Sequence, residues 1–250
     1  MRRIRISVAY DGTEFHGWQV QPGLTTIQSE LEKAVSEIEG RSVDVAGSGR
    51  TDAGVHALAQ VAAFSIENPI PVDNLRRALN RLLPRSIRVT RVEEAEAEFH
   101  PRYAARAKTY EYRFWRAEVC PPMRRLYVCH FPYPLDEGRM AESAALFVGE
   151  HDFSAFAAAD EKDEAGGSKV RRVFDSALWR EGDELIYRVR GSGFLKHMVR
   201  MMAGTLIEAG KGNLDRASLL ARLEPGFAGK AGPALPARGL CLISVEYERE

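Results

Sequence analysis

Cysteine and lysine are scarce in this sequence, and long apolar runs are missing from it. The three cysteines, Cys120, Cys129 and Cys241, are odd in number and form no Cys-x-x-Cys pair. This argues against a disulfide framework or a zinc knuckle and favours a reducing cytoplasm. No apolar run approaches the roughly 18 residues that a membrane span needs, and the segment Met1–Arg5 has no apolar signal-peptide core. We therefore expect a cytoplasmic protein that does not contact a membrane.

The formal net charge is zero, yet the charges are unevenly distributed. Only 7 of the 35 basic residues are lysine, and the other 28 are arginine, which is preferred where phosphates and planar bases are gripped. Residues 76–125 carry 13 basic and 6 acidic side chains, a net charge of +7. Residues 136–164 carry 2 basic and 9 acidic side chains, a net charge of −7. The basic stretch fits a surface for a polyanion, and it fits equally well two solvated surfaces of opposite sign.

The chain is long enough for one large domain or two half-size ones, and its 45% of hydrophobic residues is ordinary for a soluble globular protein. Periodicity predicts the order β-α-β-β-α-β in each half. In the first half we expect strands at about 3–10, 43–45, 58–66 and 87–92, with helices at about 26–39 and 75–82. In the second half we expect strands at about 107–116, 171–180, 184–190 and 240–247, with helices at about 136–147 and 194–209. This pattern predicts an α+β protein of two ferredoxin-like units that meet near residue 105, with a linker at 224–239.

The stretch Gly47–Ala57 reads Gly-Ser-Gly-Arg-Thr-Asp-Ala-Gly-Val-His-Ala. Three glycines surround one arginine and one aspartate, and glycine lets a backbone approach a ligand closely. Arg50 and Asp52 would share one face of an extended backbone. They are either an ion pair that steadies a loop, or a carboxylate nucleophile or base with a guanidinium beside it.

Two common motifs do not explain this stretch. The third glycine of a dinucleotide-binding fingerprint is missing, and a strand-like run rather than a helix follows. A hydrolase triad of Ser48 with Asp52 and His56 is disfavoured because Ser48 is on no nucleophile-elbow pattern.

Aromatic and basic residues alternate just beyond the midpoint boundary. Tyr110 and Tyr112 are in a predicted strand, where aromatic side chains usually fill a core. Arg102, Arg106 and Lys108 precede them, and interleaved basic and aromatic residues are how unstacked bases are held. Both interpretations remain open on these residues alone.

The segment Gly49–Ala57 resembles the signature of the tRNA pseudouridine synthase A family, and similar blocks run from about residue 8 to residue 247. The N-terminal blocks are Tyr10-Asp11-Gly12-Thr13, Gly17-Trp18-Gln19 and Gln21-Pro22. The middle blocks are Leu79-Asn80 with Leu83-Pro84, Phe99-His100 with Arg102-Tyr103, and Tyr110-x-Tyr112. The C-terminal blocks are Phe153-Ser154-x-Phe156, Gly193-Phe194-Leu195 with Met198-Val199-Arg200, and Gly239-Leu240 with Val245-x-Tyr247. Departures from the usual family residues are Ser48, Ala63, Pro101 and Lys108, of which Ala63 and Lys108 bear on substrate contacts.

The resemblance implies an enzyme that isomerises uridine to pseudouridine at positions 38, 39 and 40 in the anticodon stem-loop of tRNA, without a cofactor or a metal. It implies a homodimer in which one tRNA contacts both subunits. It also implies two pseudo-symmetric halves, 1–105 with the catalytic loop and 106–250. Their antiparallel sheets would join into one long central sheet, with helices on one side and the active-site cleft between the halves.

The resemblance also assigns roles to individual residues. Asp52 would be the catalytic carboxylate, and Arg200 would be the basic residue that pairs with it. Arg50 would wedge into the space that a flipped base leaves, and Tyr110 would stack on the flipped uracil. The implied catalytic set is therefore Asp52, Arg50, Tyr110 and Arg200, and the implied substrate contacts are Tyr110, His56, Arg102, Lys108 and Leu240.

Two other classes of protein compete with this interpretation. A non-catalytic RNA-binding module on a ferredoxin-like sheet would also carry aromatic residues on its strands, but it would not need an Arg-x-Asp in a glycine-rich loop. A cofactor-free metabolic enzyme on the same fold would not need the excess of arginine.

Overall fold

The computed structural model of this protein describes residues 1–158 and 167–248. In these residues, five α-helices and ten strands form a mixed α+β fold, and the strands belong to one long sheet. The predicted fold class is therefore confirmed. The acidic residues 160–164, part of the predicted acidic segment, lie outside the described residues.

The contacts within the chain divide it into two compact units. The first unit comprises Met1–Arg106 and Cys241–Glu250, and the second comprises Ala107–Leu240. The assignment of 1–105 and 106–250 to two functional halves with a cleft between them stays a prediction. No helix among the described residues combines the length and the apolar character needed to cross a lipid bilayer.

The first unit is built around a four-stranded antiparallel arrangement. Its elements are β1 (Arg2–Tyr10), α1 (Ile27–Glu39), β2 (Ala46–Gly47), β3 (His56–Ile66), α2 (Val72–Leu82) and β4 (Ile87–Ala95). β1 lies between β4 and β3, and β2 pairs with the other edge of β3. The strand order β4-β1-β3-β2 is that of a ferredoxin-like β-α-β-β-α-β unit. Alternate residues of β1 face the core, so Ile4, Ile6 and Val8 are fully buried.

Helix α1 begins and ends where its sequence predicts. The Thr26 hydroxyl accepts a hydrogen bond from the Ser29 N–H at 3.2 Å, and the Ser29 hydroxyl accepts one from the Thr26 N–H at 3.0 Å. This reciprocal capping box satisfies two N–H groups that the first turn of a helix leaves without partners. Gly40 ends the helix in the left-handed conformation, with φ at 78°.

We expect Thr26→Ala to lower the free energy of unfolding by about 1 kcal/mol, because it removes the acceptor of this buried cap. Chemical denaturation measures the change. Thr25→Ala is the matched control, since Thr25 is the exposed neighbour in the same turn. Equal stability of the two variants would contradict the prediction.

The second unit also has an antiparallel core, formed by β5 (Ala107–Trp115), β8 (Val170–Glu181) and β9 (Glu184–Gly191). β9 lies between β5 and β8. The other elements of this unit are β6 (Cys129–His130), α3 (Glu137–Ala145), β7 (Gly149–Asp152), α4 (Met198–Gly210) and α5 (Arg216–Ala221). β7 extends the antiparallel arrangement beside β8, and β6 pairs in parallel with β5.

The last strand, β10 (Leu240–Glu246), brings the C-terminal part of the chain back to the first unit. Cys241 and Leu242 pair in parallel with the first residues of β3. Just beyond β10, the Tyr247 hydroxyl donates a hydrogen bond to the Pro101 carbonyl at 2.8 Å, and the Arg5 guanidinium lies 4.4 Å from the centre of the Tyr247 ring. The C-terminal strand is therefore part of the first unit's core rather than an appendage.

Three predicted elements differ from the structure. Val43 and Val45 do not form a strand, because their N–H groups donate to the Ser36 hydroxyl and the Glu32 carboxylate of α1, and the strand is limited to β2. Helix α4 begins at Met198 rather than at 194, because His197 has a left-handed backbone with φ at 64° that interrupts a helix. The segment 224–239 is not a slack linker: Ala231 is buried and 237–239 form a 3₁₀ turn.

Candidate active site

The Arg-x-Asp motif lies in the connection between β2 and β3, in a turn whose shape its glycine determines. The Val55 N–H donates to the Asp52 carbonyl at 3.1 Å, which closes a four-residue turn. Gly54, the third residue of the turn, has φ at 79°. A type II turn requires a positive φ at this place, and glycine adopts it without strain. The turn leaves the Asp52 side chain half-buried.

A second loop, residues 11–18, packs backbone to backbone against this turn. A Cβ atom at Gly12 would lie 2.0 Å from the Val55 carbonyl oxygen, and one at Gly17 would lie 2.7 Å from the Thr51 carbonyl oxygen. Both distances are far inside van der Waals contact, so only glycine fits at either position. Gly17 also has φ at 87°. The turn that carries Asp52 is therefore stabilised by its own hydrogen bond and by packing against the 11–18 loop.

Hydrogen bonds fix the residue before Asp52. The Trp18 N–H donates to the Thr51 carbonyl at 3.0 Å, and the Thr51 and Tyr10 hydroxyls lie 2.8 Å apart. Tyr10 is buried in the core, and this burial raises the pKa of Tyr10, so its hydroxyl stays protonated. Asp52 thus sits on a backbone anchored to the core on one side and to the 11–18 loop on the other.

Arg50 and Asp52 differ in their exposure although they are two residues apart. Arg50 is exposed, and its Nε–H donates to the Gln19 side-chain oxygen at 3.1 Å. The backbone beneath it is held by the buried Gln60, whose amide donates to the Gly49 carbonyl at 3.1 Å. The structure therefore presents a guanidinium to solvent on one side of a partly enclosed carboxylate.

His56 is buried, at 6% exposure, at the start of β3. Its Nδ1 atom lies 3.1 Å from the Gly12 nitrogen and 3.2 Å from an Asp11 carboxylate oxygen. A neutral ring accepts the Gly12 N–H at this atom, whereas a protonated ring donates to Asp11. In either state the ring ties the 11–18 loop to β3.

Three further predicted site residues are Arg102, Lys108 and Leu240. Arg102 is exposed in the first unit, and its N–H donates to the His100 ring at 3.2 Å. In the second unit, Lys108 and Tyr110 are on β5, opposite Gly191 and Val189 of β9. Leu240 is 6% exposed, at the end of the 3₁₀ turn.

Tyr110 is 8% exposed, and its ring meets the Phe194 ring edge to face. The ring centres are 5.2 Å apart and the interplanar angle is 82°. This geometry is the favoured one for two aromatic rings, and it restricts the Tyr110 ring to one orientation. Sequence reasoning did not assign this role to Phe194, although Phe194 is in a quoted family block.

Arg200 is in the first turn of α4 and is half-buried. Its Nε–H donates to the Leu235 carbonyl at 2.7 Å. No sequence pattern could indicate this partner, because any residue of a Gly/Pro/Ala-rich segment has a main-chain carbonyl. Among the described residues, no three histidine, cysteine, aspartate or glutamate side chains are grouped to hold a metal ion.

These features define a class of protein: an α+β chain with a ferredoxin-like unit that presents one carboxylate on a rigid, glycine-bounded turn. Comparison with known families identifies which one. The family model described as tRNA pseudouridine synthase matches residues 6–104 and 143–248. The chain belongs to the tRNA pseudouridine synthase family.

Relatives extend this similarity over the full length. The tRNA pseudouridine synthase A of Solibacter usitatus is 64% identical over 248 residues, which are 99% of this chain and 100% of the relative. That of Halalkalibacterium halodurans is 46% identical over 93% of this chain and 89% of the relative. That of Brevibacillus brevis is 43% identical over 99% of this chain and 100% of the relative.

Proposed function

We propose that this protein isomerises uridine to pseudouridine at positions 38, 39 and 40 in the anticodon stem-loop of tRNA. The observation that carries the proposal is the rigid turn around Asp52, found in a chain that resembles tRNA pseudouridine synthases A from end to end. The substrate is tRNA, and the protein acts in the cytoplasm as a homodimer. The basic stretch 76–125 holds phosphates, which makes binding weaker as the salt concentration rises.

Asp52 acts at C1′ of the target uridine. The bond from N1 to C1′ breaks, the uracil turns within the pocket, and C5 joins C1′ while C5 loses its proton and N1 takes up a proton. Cleavage develops positive charge at C1′, as in glycoside hydrolysis, and a carboxylate stabilises that charge. Asp52 either adds covalently to C1′ or removes a proton to give a glycal-like intermediate. The net reaction transfers no electrons and no group to another molecule, so it needs no cofactor.

The target base must leave its stack to reach Asp52. Extrusion costs a few kcal/mol, which contacts in the pocket must offset. Arg50, exposed beside the turn, fills the space that the base leaves. Tyr110 stacks on the flipped uracil, and Arg200 pairs with the catalytic carboxylate. The remaining substrate contacts are His56, Arg102, Lys108 and Leu240.

The decisive experiment is mass spectrometry of tRNA that has been incubated with the protein and then chemically labelled at pseudouridine. Labelling is necessary because uridine and pseudouridine have equal masses. We expect labelled nucleotides at positions 38, 39 and 40. A protein that binds tRNA but forms no pseudouridine would be a non-catalytic RNA-binding module, and the proposal would be wrong.

Tyr110 allows a test of base stacking. We expect Tyr110→Phe to retain turnover, because the ring remains, and Tyr110→Ala to lose most of it. Stacking of a base on an aromatic ring is worth about 1–3 kcal/mol, so roughly a tenfold loss or more follows. The measurement is the rate of pseudouridine formation at saturating tRNA.

A general effect of core truncation on stability is the alternative explanation for Tyr110→Ala. Tyr187→Phe and Tyr187→Ala form a control pair, since Tyr187 is also a buried strand tyrosine of the second unit. If Tyr110→Ala is as active as the wild type, Tyr110 is a core residue only.

A further inference from the structure

The segment 231–236, here called the strap, packs directly on helix α4. A Cβ atom at Gly204 of α4 would lie 2.0 Å from the Pro233 carbonyl oxygen. A Cβ atom at Gly232 of the strap would lie 2.8 Å from the Thr205 nitrogen. The two backbones therefore touch where each has a glycine, and the strap has a fixed position on the helix.

The strap exchanges two hydrogen bonds with Arg200, one turn from this contact. The Arg200 Nε–H donates to the Leu235 carbonyl at 2.7 Å, and the Leu235 N–H donates to the Arg200 carbonyl at 3.3 Å. A guanidinium is planar, and its N–H groups have fixed directions. Once Nε–H is held, the directions open to the terminal nitrogens of the guanidinium are restricted.

Tyr112 holds the next carbonyl of the strap. Its hydroxyl donates to the Pro236 oxygen at 2.8 Å, from a side chain that is fully buried. Burial is the main cause that raises the pKa of Tyr112, so the hydroxyl remains a donor. The ring also presses on the backbone that follows the strap, since a Cβ atom at Gly239 would lie 2.7 Å from its Cζ atom. Neighbouring carbonyls of the strap therefore connect Tyr112 to Arg200.

We propose that Tyr112 and the strap position the guanidinium of Arg200 before substrate binds. This inference rests on the proposed function, in which Arg200 pairs with the catalytic carboxylate. Tyr112 is a positioning residue, which acts through the Pro236 and Leu235 carbonyls and touches no substrate. A guanidinium oriented in advance loses less freedom when the reaction begins, so the chemical step is faster.

The first test compares Tyr112→Phe with Tyr187→Phe. Tyr187 is the matched control because it is also fully buried in the second unit, and its hydroxyl contacts the Ser176 hydroxyl at 3.1 Å and the Met202 sulfur at 4.0 Å instead of a strap carbonyl. We expect Tyr112→Phe to lower the single-turnover rate about tenfold, less than the ~10²-fold that a misplacement of 1 Å can cause. The dissociation constant for tRNA should stay within twofold, and Tyr187→Phe should keep the wild-type rate. Equal rates for the two variants would overturn the proposal.

A second pair of variants acts on the strap from the other side. Gly204→Ala places its Cβ against the Pro233 carbonyl of the strap, whereas Gly210→Ala on the same helix meets only side chains, those of Met140 and Leu135. We expect a reduced single-turnover rate for Gly204→Ala alone. A Gly204→Ala enzyme with the wild-type rate would contradict the role of the strap.

Nuclear magnetic resonance of the arginine Nε–H groups tests positioning without any assay of activity. The Arg200 signal is assigned by its loss in Arg200→Lys. We expect its exchange with solvent to be at least tenfold faster in Tyr112→Phe than in the wild type or Tyr187→Phe. Unchanged exchange overturns this inference even if the wild type makes pseudouridine. A wild type that makes no pseudouridine overturns the proposed function, and the exchange rates still decide whether Tyr112 orients Arg200.

Discussion

Asp52→Asn is expected to fold, to bind tRNA and to form no measurable pseudouridine, a loss of ~10³-fold or more. Asparagine has nearly the same shape as aspartate, but it lacks the charge that acts at C1′. The turn itself should survive, because it is closed by the Asp52 main-chain carbonyl and by Gly54 rather than by the carboxylate. Labelled-pseudouridine mass spectrometry, tRNA binding and the melting temperature check the three parts of this expectation.

Asp44→Asn is the matched control for the loss of one negative charge. Asp44 is exposed and precedes β2, only a few residues before the turn that carries Asp52. It should keep full activity and the same affinity for tRNA. Detectable turnover by Asp52→Asn would remove Asp52 from the catalytic role.

Gly12→Ala should lower the single-turnover rate by ~10²-fold although it substitutes no predicted site residue. The new Cβ would lie 2.0 Å from the Val55 carbonyl oxygen, and the obstacle is backbone that cannot rotate away. The 11–18 loop and the Asp52 turn must therefore separate. Overpacking of this kind costs about 1–3 kcal/mol of the free energy of unfolding, which chemical denaturation measures.

Gly138→Ala separates this effect from the general effect of an added methyl group. Gly138 is exposed in α3, and its Cβ would approach only the Asp136 side chain, at 3.4 Å. Alanine is a better helix former than glycine, so this control should be neutral or more stable. A Gly12→Ala enzyme with the wild-type rate would show that the contact with Val55 does not position Asp52.

The sequence predicted the elements whose boundaries depend on nearby residues. Helix α1 is the clearest case, because Thr26 and Gly40 act on the turns next to them. Alternation located β1 for the same reason, since the alternate residues Ile4, Ile6, Val8 and Tyr10 are buried. The start of α4 was wrong because apolar periodicity continues through 194–197, and periodicity carries no information on the left-handed backbone of His197.

The candidate site was proposed from the sequence on the side chains of its residues, and their roles stay predictions. The family signature contains Asp52 and Arg50, and the residue type alone states the chemistry of each side chain. Main-chain carbonyls make many of the contacts that hold the candidate site: those of Thr51 and Val55 beside Asp52, and that of Leu235 beside Arg200. Any residue has such a carbonyl, so only the folded chain reveals which ones matter. The segment 224–239, which contains the strap, was interpreted as a linker for this reason. Glycine and proline predict irregular backbone, but they do not indicate which side chains that backbone contacts.

The return of β10 to the first unit has a consequence for the order in which a ribosome could complete this protein. Ala57 directly follows the buried His56 at the start of β3, and its partner Leu242 is made 185 residues later. At typical rates of synthesis of about 5–20 residues per second, the interval is roughly 10–40 s. For most of that time the first unit of the nascent chain has β1, β3 and β4 but lacks β10, the strand that pairs with β3 just after the Asp52 turn. The part of the fold that carries Asp52 is thus among the earliest to be synthesised and the last to be completed.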